Sequence, residues 1–197
     1  MIKSFKYFLE AIIICIFFSV GRILGLTISR QLFSWIFRLA GPFIKSEKII
    51  EKNLNIFSSE FSQEEKKQLK KEMWSNYGMT FIEYMFLNFF RKRNNIVEFE
   101  GEKILEKIAN EKTPVIFVSG HFANFEIMSM EITKKKVKLA TIYRPLNNFF
   151  LNPIMEYLRK KYICKNQIKK GRSGVRETMN FIDKGYSIAL MIDQRVS

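Results

Sequence analysis

Histidine is nearly absent from this chain of 197 residues: His121 is the single example. Cysteine is almost as scarce, with Cys15 in the most apolar stretch and Cys164 in a basic one. The two show no metal or redox spacing, and a disulfide between them is not expected. One histidine and two scattered cysteines give a zinc site little to build on, so no metal ligands and no cofactor are assigned. Acidic residues are the third shortage. Nineteen Asp and Glu stand against 33 Lys and Arg, a net charge of +14. Such an excess points to an anionic partner: nucleic acid, an acidic protein, or a phosphate-bearing membrane surface. The chain also lacks an internal repeat, a low-complexity linker and a Gly-x-Ser-x-Gly nucleophile elbow.

Apolar residues are abundant. The chain is 47% hydrophobic with 20 phenylalanines, which excludes disorder and supplies a sizeable core. Ala11 to Val20 is an unbroken apolar run, and the wider stretch from Tyr7 to Ile28 is long enough for a bilayer. Glu10 and Arg22, near its ends, can reach the interface. A cleaved signal peptide is the rival reading, with Ser19-Val20-Gly21 as the site. The hydrophobic pattern continues past that site, through Ile23, Leu24, Leu26 and Ile28, which favours a retained anchor. Lys3 and Lys6 precede the run, and Arg22, Arg30, Arg38, Lys45 and Lys48 follow it. The heavier side is expected in the cytoplasm, giving a single-pass anchor with the body of the protein on that face. Residues 31–40 read as an interfacial helix ended by Gly41-Pro42.

Beyond the anchor, the pattern alternates. Ser62-Gln63-Glu64-Glu65 is a capping box opening a helix expected to run to about Phe90. Its second half carries Trp74, Tyr77, Phe81, Tyr84, Met85 and Phe89 at helical spacing, a stripe that suits core packing. A short strand is expected over residues 96–100 and a helix over 102–110. A strand over 115–119 precedes a helix from Asn124 to Lys134. A strand over 138–143, a turn at Arg144-Pro145 and a helix over 152–161 follow. Last come a loop over 169–174, a helix over 175–183 and a strand over 187–192. This alternation indicates an α/β fold with a helix-flanked, largely parallel sheet, preceded by the transmembrane helix. The expected organisation is an anchor over 1–30, an interfacial helix and connector over 31–61, and an α/β domain over 62–197.

His121 falls between a strand and a helix, in Gly120-His121-Phe122-Ala123-Asn124-Phe125-Glu126. Histidine is the one side chain whose unperturbed pKa lies near neutrality. A carboxylate a few residues on can orient it. Residues five apart diverge on a regular helix, so the pair meets only if His121 lies in the turn before the helix. The plain alternative is a backbone-bonded histidine with Glu126 in solvent. Asn124 is the expected N-cap of that helix.

These residues resemble the HxxxxE form of the acyltransferase HX4(D/E) motif, in the setting found in the lipid A biosynthesis acyltransferases, the lauroyl and myristoyl transferases of Gram-negative bacteria. Tyr143-Arg144-Pro145-Leu146-Asn147-Asn148 is similar to that family's second block. Lys184-Gly185 leading into Asp193-Gln194 resembles its third. The resemblance implies transfer of a fatty acyl group from an acyl carrier protein thioester to a hydroxyl of a phosphorylated glycolipid acceptor, at the inner membrane. It implies His121 as general base held by Glu126, with Arg144, Asn148 and Asp193 as substrate-binding residues. The competing readings are an ordinary surface arginine before a proline for Arg144 and a turn start for Asp193. The lysine runs at 134–136, 160–161 and 169–170 are solvated faces that together suit an acidic carrier protein. Family members continue well past the Asp-Gln block, so the C-terminal part of the fold is expected to be missing. A related acyltransferase acting on a lysophospholipid or another glycolipid, and an inactive remnant that only binds membrane or lipid, stay open. No nucleic-acid recognition motif accompanies the charge.

Overall fold

The structure is a computed structural model that describes residues 2–98 and 100–193. These form two compact units: residues 15–86, and residues up to 14 together with 87 onward. The first helix, α1 (Ile2–Leu24), contributes to both. It is long and apolar enough to cross a membrane. Ile2, Phe5, Ile12, Ile13 and Ile16 on it are exposed. It ends earlier than the hydrophobic run because Gly25 takes a φ of +78°, a conformation open to glycine.

The unit of residues 15–86 is helical. α2 (Leu26–Ile44) runs through Gly41-Pro42 rather than stopping there. Pro42 lies in its last turn, so the i→i−4 bond that its missing N–H leaves unmade falls near the end of the helix. A Cβ on Gly41 would stand 2.1 Å from the Trp74 ring, so glycine lets the indole seat against the helix. α3 (Glu47–Phe57) is followed by α4 (Gln63–Glu83), which opens on the expected capping box. The Ser62 hydroxyl accepts from Glu65 N, and the Glu65 carboxylate accepts from Ser62 N. Phe33 of α2 and Trp74 and Ile82 of α4 are buried, Ile82 against Gly21 of α1. The long helix expected to reach Phe90 breaks at a 3-10 turn over Tyr84–Phe86.

The other unit carries the sheet. Its elements are α5 (Leu87–Lys92), α6 (Glu102–Glu111), β1 (Ile116–Ser119), α7 (Glu126–Lys134) and β2 (Leu139–Tyr143). They continue with α8 (Asn152–Tyr162), β3 (Asn166–Lys169), α9 (Arg172–Asp183) and β4 (Ser187–Met191). Among the described residues the four strands are ordered β1-β4-β2-β3, and each of these pairs is parallel. Parallel neighbours require crossovers, which the intervening helices supply. On one face Ala140, Ile168 and Ile188 form a core under Phe181 and Ile182 of α9.

Two differences from the sequence pattern have physical reasons. The strand expected over 96–100 includes Phe99, which lies outside the described residues; Ile96–Glu98 form bend and coil. A lone extended segment without a partner strand does not hold. Conversely β3, with the polar sequence Asn-Gln-Ile-Lys, gave little hydrophobic signal. It is held by its ladder to β2 and by Ile168, which is fully buried.

Because all strands point the same way, their carboxyl ends share one edge of the sheet. Gly120-His121 leaves β1 there, Arg144 leaves β2, Lys170 leaves β3, and Asp193 follows β4. Open α/β sheets bind ligands at that edge.

Candidate active site

The turn after β1 sets His121. Gly120 is closely packed, since a Cβ there would lie 2.8 Å from the Phe122 ring. Ala123 has a φ of +43°, which tightens the turn before α7. The His121 ring packs edge-on against Phe125, centroids 4.5 Å apart.

The carboxylate that meets the His121 ring is Asp193, not Glu126. Asp193 Oδ1 lies 2.8 Å from His121 Nδ1, and Oδ2 accepts from the His121 backbone N–H at 2.9 Å. β1 and β4 are paired neighbours, with Ser119 opposite Met191, so the residues two steps beyond each strand end meet. A neutral ring bonded this way carries its proton on Nδ1, which leaves Nε2 to accept one. The backbone bond from His121 N, and then the ring bond, hold the Asp193 carboxyl below its ordinary pKa. Asp193, expected as a substrate ligand, has both carboxylate oxygens bonded to His121.

Glu126 has a different partner. It is the first residue of α7 and is 7% exposed. Its Oε1 accepts from Arg159 Nε at 2.7 Å and lies 2.6 Å from Arg159 Nη2. A buried carboxylate at a helix start is favoured by the macrodipole and here is neutralised by a guanidinium whose side chain is 12% exposed. Arg159 also lies over the Tyr143 ring, 5.8 Å from its centroid. Sequence reasoning gave Arg159 no role. The available signal was its spacing: Arg159 stands four residues after the buried Met155, on the inward face of α8.

A second network fixes the turn after β2. Tyr143 OH donates to Glu156 Oε1 at 2.5 Å, and Asn152 Nδ2 donates to the same oxygen at 2.8 Å. Asn152 Oδ1 accepts from Leu146 N at 2.8 Å. Burial, and then the bond to Glu156, push the Tyr143 phenol above its ordinary range, while that bond lowers Glu156. Arg144 lies in the turn so held.

Asn148 serves the loop itself. Its Oδ1 accepts from Phe150 N and Leu151 N, and its Nδ2 donates to Tyr7 O at 2.8 Å and to Glu10 Oε2 at 3.3 Å. Its amide, expected to bind substrate, is engaged by the chain and does not line the cavity beside His121. Gln194 lies outside the described residues.

His121, Glu126, Arg144, Arg159, Gln167 and Lys170 line one cavity of about 310 Å³. It presents an oriented imidazole, a neutralised ion pair and two further cations at the carboxyl edge of a parallel sheet. Residues 2–197 match the family described as bacterial lipid A biosynthesis acyltransferase. The chain belongs to this family. It is 26% identical over 160 residues to a lipid A biosynthesis palmitoleoyltransferase of Escherichia coli (strain K12), and equally to a lipid A biosynthesis acyltransferase of Shigella flexneri. That alignment covers 79% of this chain and 51% of each relative, so the chain spans about half the length of the curated relatives it matches. For this member of the lipid A acyltransferase family, the matched region includes the whole sheet and its carboxyl edge.

Proposed function

We propose that this chain is an O-acyltransferase of lipid A synthesis, moving a fatty acyl group from an acyl carrier protein thioester to a hydroxyl of a lipid A precursor. The observation that carries the reading is the His121–Asp193 pair, set on the cavity at the carboxyl edge of the sheet in a member of this family.

The chemistry is direct transfer. His121 Nε2 takes the proton of the acceptor hydroxyl as its oxygen attacks the thioester carbonyl. Asp193 keeps the proton on Nδ1 and stabilises the imidazolium that forms. The tetrahedral intermediate expels the thiolate, which receives the proton from Nε2. No acyl-enzyme is formed. Glu126 acts through Arg159 as a positioning residue, holding α7 against α8 beside the cavity. Arg144 meets an anionic part of the substrates or the developing oxyanion. The +14 charge supports an acidic carrier protein and a phosphorylated acceptor.

We place the protein on the inner membrane, held by α1 with the α/β domain facing the cytoplasm, as the flanking charges imply for a single-pass anchor. One observation favours a second placement. Asn148 binds Tyr7 and Glu10, which keeps the first turns of α1 beside the loop after β2. An α1 that retains these bonds lies along one leaflet.

The deciding experiment gives the purified full chain labelled acyl carrier protein thioester and a lipid A precursor, beside His121→Ala. Labelled product from the unaltered chain and none from the variant is the expected result. Equal transfer by His121→Ala removes the general base from the mechanism.

A further inference from the structure

Lys170 is assigned no role by the reaction above, yet it lines the same cavity as His121. Its position follows from the sheet. Tyr143 on β2 pairs with Lys169 on β3, and Lys170 N donates to Tyr143 O at 2.9 Å. Arg144 and Lys170 are therefore the next residues on two neighbouring strands, whose backbones run about 4.8 Å apart. Both side chains are exposed and both line the cavity. Among the described residues, no carboxylate forms an ion pair with either, and neither side chain has a hydrogen-bond partner.

This is an unusual expenditure of charge. Like charges side by side on adjacent strands repel. The cavity's other charged side chains are committed elsewhere: Glu126 to Arg159, and His121 to Asp193 outside the lining. Lys169, the neighbour of Lys170, faces Glu156 at 3.6 Å. Two adjacent cations with no protein counter-charge match a group carrying two negative charges.

We propose that Arg144 and Lys170 together form a subsite for a phosphate monoester on the acyl acceptor. A monoester carries close to two charges at neutral pH, whereas a phosphodiester carries one. Arg144 supplies a planar fork that matches phosphate oxygens in pairs, and Lys170 a compact point charge. Anchoring the phosphate in the cavity that His121 lines selects a hydroxyl at a fixed span from it. The phosphate of a carrier-protein prosthetic group is a diester, so the pair discriminates acceptor from donor. Assignment to the acceptor rests on the acyl-transfer reading; the preference for a monoester does not.

The test has two arms. In the first, the full chain is titrated calorimetrically with N-acetylglucosamine 1-phosphate and with dimethyl phosphate, without any acyl donor. The monoester is expected to bind about tenfold more tightly, and Lys170→Ala to erase about tenfold of that affinity. Lys170→Glu should abolish it. Circular dichroism on both variants separates loss of binding from loss of fold, and Lys170→Arg should rescue binding. Equal binding of the two phosphates, or unchanged monoester binding in Lys170→Glu, overturns the subsite. In the second arm, turnover is followed with varied donor and acceptor. Lys170→Ala should raise the acceptor KM about tenfold with the donor KM unchanged. A rise in the donor KM alone overturns the assignment and gives the pair to the donor phosphodiester. Monoester binding without any acyl transfer would count against the transfer reading while leaving the subsite standing.

Discussion

His121 and Asp193 meet across 72 residues of chain through two hydrogen bonds, one to the ring at 2.8 Å and one to the backbone at 2.9 Å. The double contact fixes both the position and the rotation of the imidazole. Asp193→Asn keeps the shape but removes the charge that stabilises the imidazolium. Acyl transfer by this variant should fall about a hundredfold or more, with acceptor affinity little changed. A steady-state comparison with the unaltered chain checks this. A fall confined to KM would mean that Asp193 binds substrate.

The same pair has a pH signature. Asp193 is held below its ordinary pKa when folded, so the contact stabilises the fold above the unfolded value, near pH 4. That contribution is lost as pH falls through the lower folded value. With the Asp193 side chain 38% exposed, solvent keeps the effect small. Thermal melts of the chain and of Asp193→Asn should differ at pH 7 and converge as the solution is acidified below about pH 4. A gap that widens in acid contradicts the pairing.

Glu126 is buried and Arg159 nearly so, and removing one partner strands the other. Glu126→Ala should destabilise the chain by about 3 kcal/mol in chemical denaturation, and a Glu126→Ala, Arg159→Met double variant should recover part of the loss. Whatever activity survives should keep the acid limb of its pH profile, because the ring of His121 is held by Asp193. A shifted limb would return Glu126 to the ring.

The contrast between these two carboxylates shows what the sequence could and could not disclose. Strand-helix alternation exposed β1, β2, β4 and their helices, because each carries a hydrophobic period that matches its geometry. The same pattern put His121, Arg144 and Asp193 just past strand ends. Which carboxylate reaches the ring depends on β4 lying next to β1, a long-range pairing that local spacing does not encode. Glu126 looked like the partner because it is near in sequence, yet helix geometry turns it toward α8. β3 stayed hidden because only Ile168 among its residues is apolar and buried. With β3 hidden, the adjacency of Lys170 to Arg144 was hidden too.

Tyr143 offers a spectroscopic check on the turn that carries Arg144. Its phenol is raised well above the ordinary value by burial and by Glu156. In an alkaline absorbance titration, one of the 7 tyrosines should ionise well after an unperturbed one, near pH 10. Tyr143→Phe should remove that late step and cost about 1 kcal/mol through the lost hydrogen bond. If the late step persists in the variant, it belongs to another tyrosine.

Asn148 separates the two placements of α1. Its bonds to Tyr7 and Glu10 keep the first turns of the helix beside the sheet domain. Phe149 packs edge-on against Tyr7 and Phe150 against Phe8, which reinforces that contact. A cysteine at position 4, in a chain with Cys15→Ser and Cys164→Ser, reports where the helix begins. If the Asn148 contacts persist in the membrane, this cysteine sits on the same face as the α/β domain. An impermeant maleimide should then label it only after the cells are opened. Asn148→Ala, which removes both bonds, should lower its protection from maleimide in opened membranes. Labelling in intact cells would instead establish a single pass, with the Asn148 contacts given up on insertion.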